Sequence, residues 1–197
     1  MPLVRRPSPP VEPAAVPPVL GQGTSEQRWA AGRAAAERTD GVSLLASALQ
    51  GESDARVREA IFTGFARIGT PQSAAALVPY LRSDDASLRT GAIDALRAKP
   101  DAVRAHLATL LADPDPDVRL LSCELTRGLP EGEANRLLCD LLERETEKNV
   151  CAAALEVLAE LGKPEALPTL GRCAERFASD AFIAFAIKVA TDRIGPS

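Results

Sequence analysis

Apolar residues recur along this chain at helical spacing. In VREAIFTGFARIG the positions Val57, Ile61, Phe65 and Ile68 fall at offsets 0, 4, 8 and 11, and VCAAALEVLAELG repeats the arrangement with Val150, Ala154, Leu158 and Leu161. Such spacing lays one apolar stripe along a helix. The same pattern begins at Leu88, Val118 and Phe182, and a weaker copy, QRWAAGRAAAE, begins at Gln27, so the copies follow each other at steps of 30 to 32 residues. Ahead of each full copy lies a second leucine-rich helical segment: GVSLLASALQ, SAAALVPYLR, AVRAHLATLL, EANRLLCDLL and EALPTLGRCAERF. Gly69-Thr70-Pro71, Pro114-Asp115-Pro116 and Gly162-Lys163-Pro164 are among the turn signals between the segments. The repeating unit is helix, turn, helix, turn. One such hairpin cannot bury its own apolar face, so successive hairpins must stack. The predicted fold is all-α, an α-solenoid of about five helical hairpins over residues 24–197, with one unpaired helix ahead of them.

Residues 1–23 differ in kind. Pro2, Pro7, Pro9, Pro10, Pro13, Pro17 and Pro18 lie there, and proline neither continues a helix interior nor leaves its preceding neighbour free to be helical. A disordered, Pro-rich arm is expected. It is a solvated tail, or a docking arm in which Arg5 and Arg6 engage a partner or Val19 and Leu20 fold back on the first helix.

Composition narrows the chemistry. Aromatic residues make up only 4% of the chain and the formal net charge is −4. A core poor in rings suits closely packed helices, and the charge argues against general nucleic-acid binding, which depends on clustered positive charge. No apolar run is long enough to span a bilayer, and the prolines after Arg5-Arg6 leave no secretory h-region, so a cytoplasmic protein is expected. The four cysteines, Cys123, Cys139, Cys151 and Cys173, form no CxxC pair and read as free, mostly buried thiols. His106 is the single histidine. With no triad, phosphate loop or metal motif, neither catalysis, a cofactor nor a metal site is expected.

The residues Asp54/Val57/Arg58/Ile68/Gly69, Asp85/Leu88/Arg89 and Asp115/Val118/Arg119 carry a D-x-x-V-R pattern closing on L-x-x-I-G. It resembles HEAT repeats, in the short bacterial form also found in phycobilin lyases, over about residues 24 to 195. In the acid column, Asp54, Asp85 and Asp115 suit helix N-termini, and Arg58, Arg89 and Arg119 follow four residues later on the same side. A structural ladder between repeats is expected; a row of anion-binding arginines is the functional alternative. The column lapses in the last two copies, where Cys151 and Ile183 replace arginine and Glu147 and Ser179 hold the acid position.

The resemblance implies that the second helix of each pair lines a concave surface. On it, offset 6 reads Arg33, Thr63, Asp94, Glu124, Glu156 and Lys188, while offset 2 reads Trp29, Glu59, Thr90, Leu120, Ala152 and Ala184. Arg67, Arg97 and Arg127 add positive charge near offset 10. Charge of both signs beside a shallow apolar track suits a protein partner or an extended peptide. The candidate contact residues are therefore Trp29, Glu59, Thr63, Arg67, Asp94, Arg97, Leu120, Glu124, Arg127 and Glu156. Trp29 is expected to be covered by Val19 and Leu20, or else to anchor an interface. Phe177, Phe182, Ile183 and Phe185 are expected to fill the last core layer, with any residual patch available for weak end-to-end dimerisation. The resulting expectation is a non-catalytic scaffold or adaptor for a protein partner, with no nucleic acid and no membrane. The resemblance also implies an alternative, an auxiliary lyase or chaperone for a tetrapyrrole-bearing protein in which Cys139 or Cys151 takes part.

Overall fold

A computed structural model describes residues 20–195, so most of the expected Pro-rich arm, residues 1–19, lies outside the described residues. Leu20 to Gly23 form a turn, after which Thr24 opens helix α1 (Ser25–Ala35) with a capping box to Gln27. Five hairpins follow. They pair α2 (Gly41–Gly51) with α3 (Ala55–Ile68), α4 (Pro71–Leu77) with α5 (Ala86–Arg97), and α6 (Pro100–Leu110) with α7 (Pro116–Leu125). The last two pair α8 (Glu131–Arg144) with α9 (Lys148–Leu161), and α10 (Leu167–Arg176) with α11 (Ala181–Ile194).

Local chemistry sets these boundaries. Asp54, Asp85, Asp115 and Asp180 accept hydrogen bonds from the first backbone N–H groups of α3, α5, α7 and α11. Pro71, Pro100 and Pro116 occupy first-turn positions, where a missing N–H is tolerated. Gly69 ends α3 at φ 58°, a left-handed conformation that strains any residue with a Cβ. In the fourth helix the proline at position 79 has no N–H to continue the α pattern, and the chain tightens into a 3₁₀ turn, Val78–Arg82.

The second helices α1, α3, α5, α7, α9 and α11 pack side by side in one continuous row, and α2, α4, α6, α8 and α10 form the other. The first row is the one that the resemblance to HEAT repeats implies lines the concave side, and it is called the inner row below. Between the rows runs one apolar core from Ala35 to Ile194. Its columns are the predicted ones: Val57, Ile61 and Phe65, then Val150, Ala154 and Leu158, all buried.

The last repeat corrects its predicted register by one residue. Ile183, Ile187, Ala190 and Ile194 are buried, and the helix is capped by Asp180 rather than Ser179. The copy therefore begins at Ile183, a step of 183 − 150 = 33 residues, with Ala184 in the arginine column. Phe182 and Phe185, expected in the last core layer, are 63% and 66% exposed. Core burial of Ile183 decides the register, because a stripe shifted by one residue turns every side chain by about 100° around the helix.

Candidate interaction surface

The arginine column joins successive repeats. Arg28 holds the carboxylate of Glu52 at 2.8 and 3.1 Å, Arg58 meets Asp85 at 2.7 Å, and Arg119 holds Glu145 at 2.6 and 3.0 Å. Each arginine also donates to a carbonyl in the turn before its own helix: Arg28 to Gly23 at 2.8 Å, Arg58 to Glu52 at 2.7 Å, Arg119 to Asp113 at 2.7 Å. Arg89 keeps this backbone contact, to Ser83 at 2.5 Å, whereas Asp115 caps α7 and the Asp113 carboxylate pairs with Arg82. Cys151, in the arginine column, makes the equivalent contact with the Glu145 carbonyl at 3.8 Å.

Sequence reasoning missed the second acid column. Glu52, Asp113 and Glu145 are all buried, and each lies two residues ahead of a helix cap, at Asp54, Asp115 and Glu147. The signal was present as the acid pairs E-x-D, D-x-D and E-x-E. Arg28, then two backbone N–H groups, hold the Glu52 carboxyl below the usual range. Burial pushes Glu145 up, but Arg119 and the N–H groups of Glu147 and Thr146 outweigh it, leaving the carboxyl lowered. Asp85 is drawn to about 2 by Ser87 and then Arg58. These contacts satisfy the arginines within the protein.

The thiols are enclosed. Cys123, Cys151 and Cys173 are buried and Cys139 is half-buried. Burial pushes the Cys123 thiol up to about 12 and raises Cys139 as well. Cys151 lies beside Cys173, and Arg176 approaches the Cys173 sulfur at 3.8 Å; both draw that thiol below its ordinary value. Iodoacetamide at neutral pH is therefore expected to label the folded protein slowly, with Cys123, Cys151 and Cys173 modified only as fast as the helices open, and all four readily in urea. Rapid native labelling of Cys151 or Cys173 by mass spectrometry would contradict this burial. His106 is half-buried on α6, and among the described residues no group of three His, Cys, Asp or Glu side chains could hold a metal ion.

On the inner row the predicted contact residues fall into three neighbourhoods. At the N-terminal end, the guanidinium groups of Arg33 and Arg56 lie 4.9 and 4.7 Å from the Trp29 ring centroid. The ring is half-buried, and Arg67 nearby pairs with Glu37 at 3.2 Å. Leu20 lies instead beside Arg28, Leu44 and Ala48, and Val19 falls outside the described residues.

The second neighbourhood is a groove of about 330 Å³ between α3 and α5, to which Glu59, Thr63 and Asp94 contribute. Its floor includes Phe62, Ala66 and Ala95, and Phe62 is almost wholly buried. Gly91 allows this, because a Cβ there would stand 2.2 Å from the Phe62 Cε2 atom. In the third, Arg127 binds Glu124 at 2.9 Å, Glu156 at 3.6 Å and Glu160 more closely still, while Arg97 reaches Glu124 at 3.9 Å. Leu120 is half-buried beside them. By the corrected register Phe185 follows Trp29, Glu59, Thr90, Leu120 and Ala152 in one column, so the two exposed phenylalanines also belong to this row.

A family model described as HEAT repeats matches residues 18–97 and 103–184. Among solved structures, the archaeal HEAT-like repeats protein from Thermococcus onnurineus NA1 is similar at 18% identity and a TM-score of 0.55, over 89% of this chain and 84% of that one. A designed armadillo repeat protein in complex with peptide (KR)4 shares 14% identity over 89% of this chain and 96% of that one, at a TM-score of 0.45. None of the curated protein sequences matches. Among the described residues no helix is long and apolar enough to cross a membrane. The repeated helical hairpins, the arginine staples between them and the match over most of the chain agree, and the chain belongs to the HEAT-repeat family.

Proposed function

We propose that this protein is a non-catalytic scaffold or adaptor that binds a protein partner along its inner face. The HEAT-repeat fold is typical of interaction scaffolds, and the observation that carries the reading here is the exposure of Phe182 and Phe185, at 63% and 66%, on an inner-row helix. Large apolar side chains held in water beside a well-filled core mark a surface that another molecule covers. Trp29, Glu59, Thr63, Arg67, Asp94, Arg97, Leu120, Glu124, Arg127 and Glu156 extend that surface with mixed polarity, and the arginine-linked turns keep its helices in fixed order.

Photo-crosslinking tests the placement. A benzophenone amino acid at Thr63 or Leu120 is expected to give a discrete adduct in cells, and the same probe at Arg136 on α8 to give none. The double variant Phe182→Ser, Phe185→Ser is expected to keep the helical circular dichroism and lose the adduct. Adducts formed only from α8, or unchanged in the double variant, would place the partner elsewhere. The same rings could instead meet a second copy of the chain; light scattering that shows only monomer at high concentration excludes that use.

A further inference from the structure

The acids of the inner face are not equivalent. Glu37 has Arg67, and Glu124, Glu156 and Glu160 share Arg127. Glu59, exposed on α3, has no ion pair or hydrogen bond among the described residues, and Asp94 has only a long contact of 3.8 Å to Arg97. Both line the groove between α3 and α5, whose floor of Phe62, Ala66 and Ala95 is apolar. The groove's own cation, Arg58, is engaged by the Glu52 carbonyl, Asp85 and the Ser87 hydroxyl, at 2.7, 2.7 and 2.9 Å. The surface therefore offers two carboxylates, Glu59 with no cation partner among the described residues and Asp94 held only loosely by Arg97, above a shallow apolar floor.

We infer that this groove holds an arginine or lysine side chain of a bound peptide, its alkyl stem over Phe62, Ala66 and Ala95 and its cationic head at Glu59 and Asp94. Long basic side chains carry both parts, an apolar stem and a charged tip, and fit such a site better than a purely apolar residue would. An acidic segment would meet uncompensated like charge. The carboxylates are exposed, so they contribute mainly orientation and charge selectivity, while the floor supplies desolvated contact. This inference rests on the scaffold reading above and specifies the chemistry of the partner.

Fluorescence anisotropy with a fluorescein-labelled peptide of alternating leucine and arginine tests it, with a leucine–glutamate peptide as control. The full chain is expected to bind the first and not the second. The variant Glu59→Gln, Asp94→Asn should bind the leucine–arginine peptide about fivefold or more weakly, corresponding to roughly 1 kcal/mol for two exposed charge contacts. Asp84→Asn, Asp101→Asn makes the same change in net charge elsewhere and should leave binding unchanged. Thr90→Trp, which fills the groove without altering charge, should also weaken it. Equal losses in both charge variants, no loss in either, or no binding to the leucine–arginine peptide would overturn the inference. Retained binding that falls only in Phe182→Ser, Phe185→Ser would overturn it while leaving the scaffold reading standing; absence of Thr63 and Leu120 crosslinks in the chain with both phenylalanines intact would remove that broader reading.

Discussion

Replacing Phe65 with alanine is expected to lower stability by about 3–5 kcal/mol, the usual cost of truncating a large core aromatic where neighbours cannot close the space. Phe65 is 1% exposed and shares its surroundings with Ala74 and Leu77 of α4, Ala95 and Leu96 of α5 and Ala102 of α6. Only about 10 Å³ of free volume remains beside it. Four helices from successive repeats thus depend on one ring. Because each repeat is stabilised mainly by its neighbours, the loss should also separate the unfolding of α1–α3 from that of the later repeats. Urea titration followed by circular dichroism should show an earlier, broader transition; an unchanged midpoint would mean that this layer repacks.

The second large effect is expected at Glu145. Its side chain is 3% exposed, it holds Arg119 in two contacts, and it accepts the N–H groups of Thr146 and Glu147 at 2.9 Å each. Glu145→Ala strands a largely enclosed arginine and uncaps a turn, so about 2–4 kcal/mol of destabilisation is expected. The pH dependence follows from the direction of the shift. A carboxyl lowered in the folded state contributes stability that is complete above its unfolded value and is lost as pH falls through its folded value. With Glu145 lowered from 4.5, and Asp85 and Glu143 held at about 2, the urea midpoint should fall between about pH 4.5 and 2. Glu143 owes its position to Arg172 first and then to Thr169. The gap between wild type and Glu145→Ala should narrow over the same range, since acid protonates the carboxylate that the variant lacks. A gap independent of pH would show that neither the ion pair nor the N–H bonds to the charged carboxylate account for the loss.

The repeats were legible because they rest on local signals. Apolar spacing, turn residues and the Asp54, Asp85 and Asp115 caps each act within a few residues, and together they define helices, hairpins and stacking. The acid partners of the arginines were harder to read. Arg58 reaches the cap of the next repeat at Asp85, but Arg28 and Arg119 reach Glu52 and Glu145, two residues before a cap, and Arg89 takes a carbonyl instead of Asp115. Side chains long enough to reach several acids are sorted by the relative placement of stacked hairpins, which spacing within one helix does not contain.

The chain's order of residues determined the periodic core, the number of hairpins and the family to which they belong. Tertiary structure decided the rest at single-residue resolution. Burial of Ile183 rather than Phe182 set the final register and left two phenylalanines in water on the inner row. Pairing of Arg127 with three acids, and of Arg58 with Asp85, left Glu59 without a cation among the described residues and Asp94 with only a loose contact to Arg97, both in an apolar groove. Apolar periodicity is a property of each helix alone, whereas which charge is neutralised and which ring is covered depends on what the neighbouring repeat brings within reach.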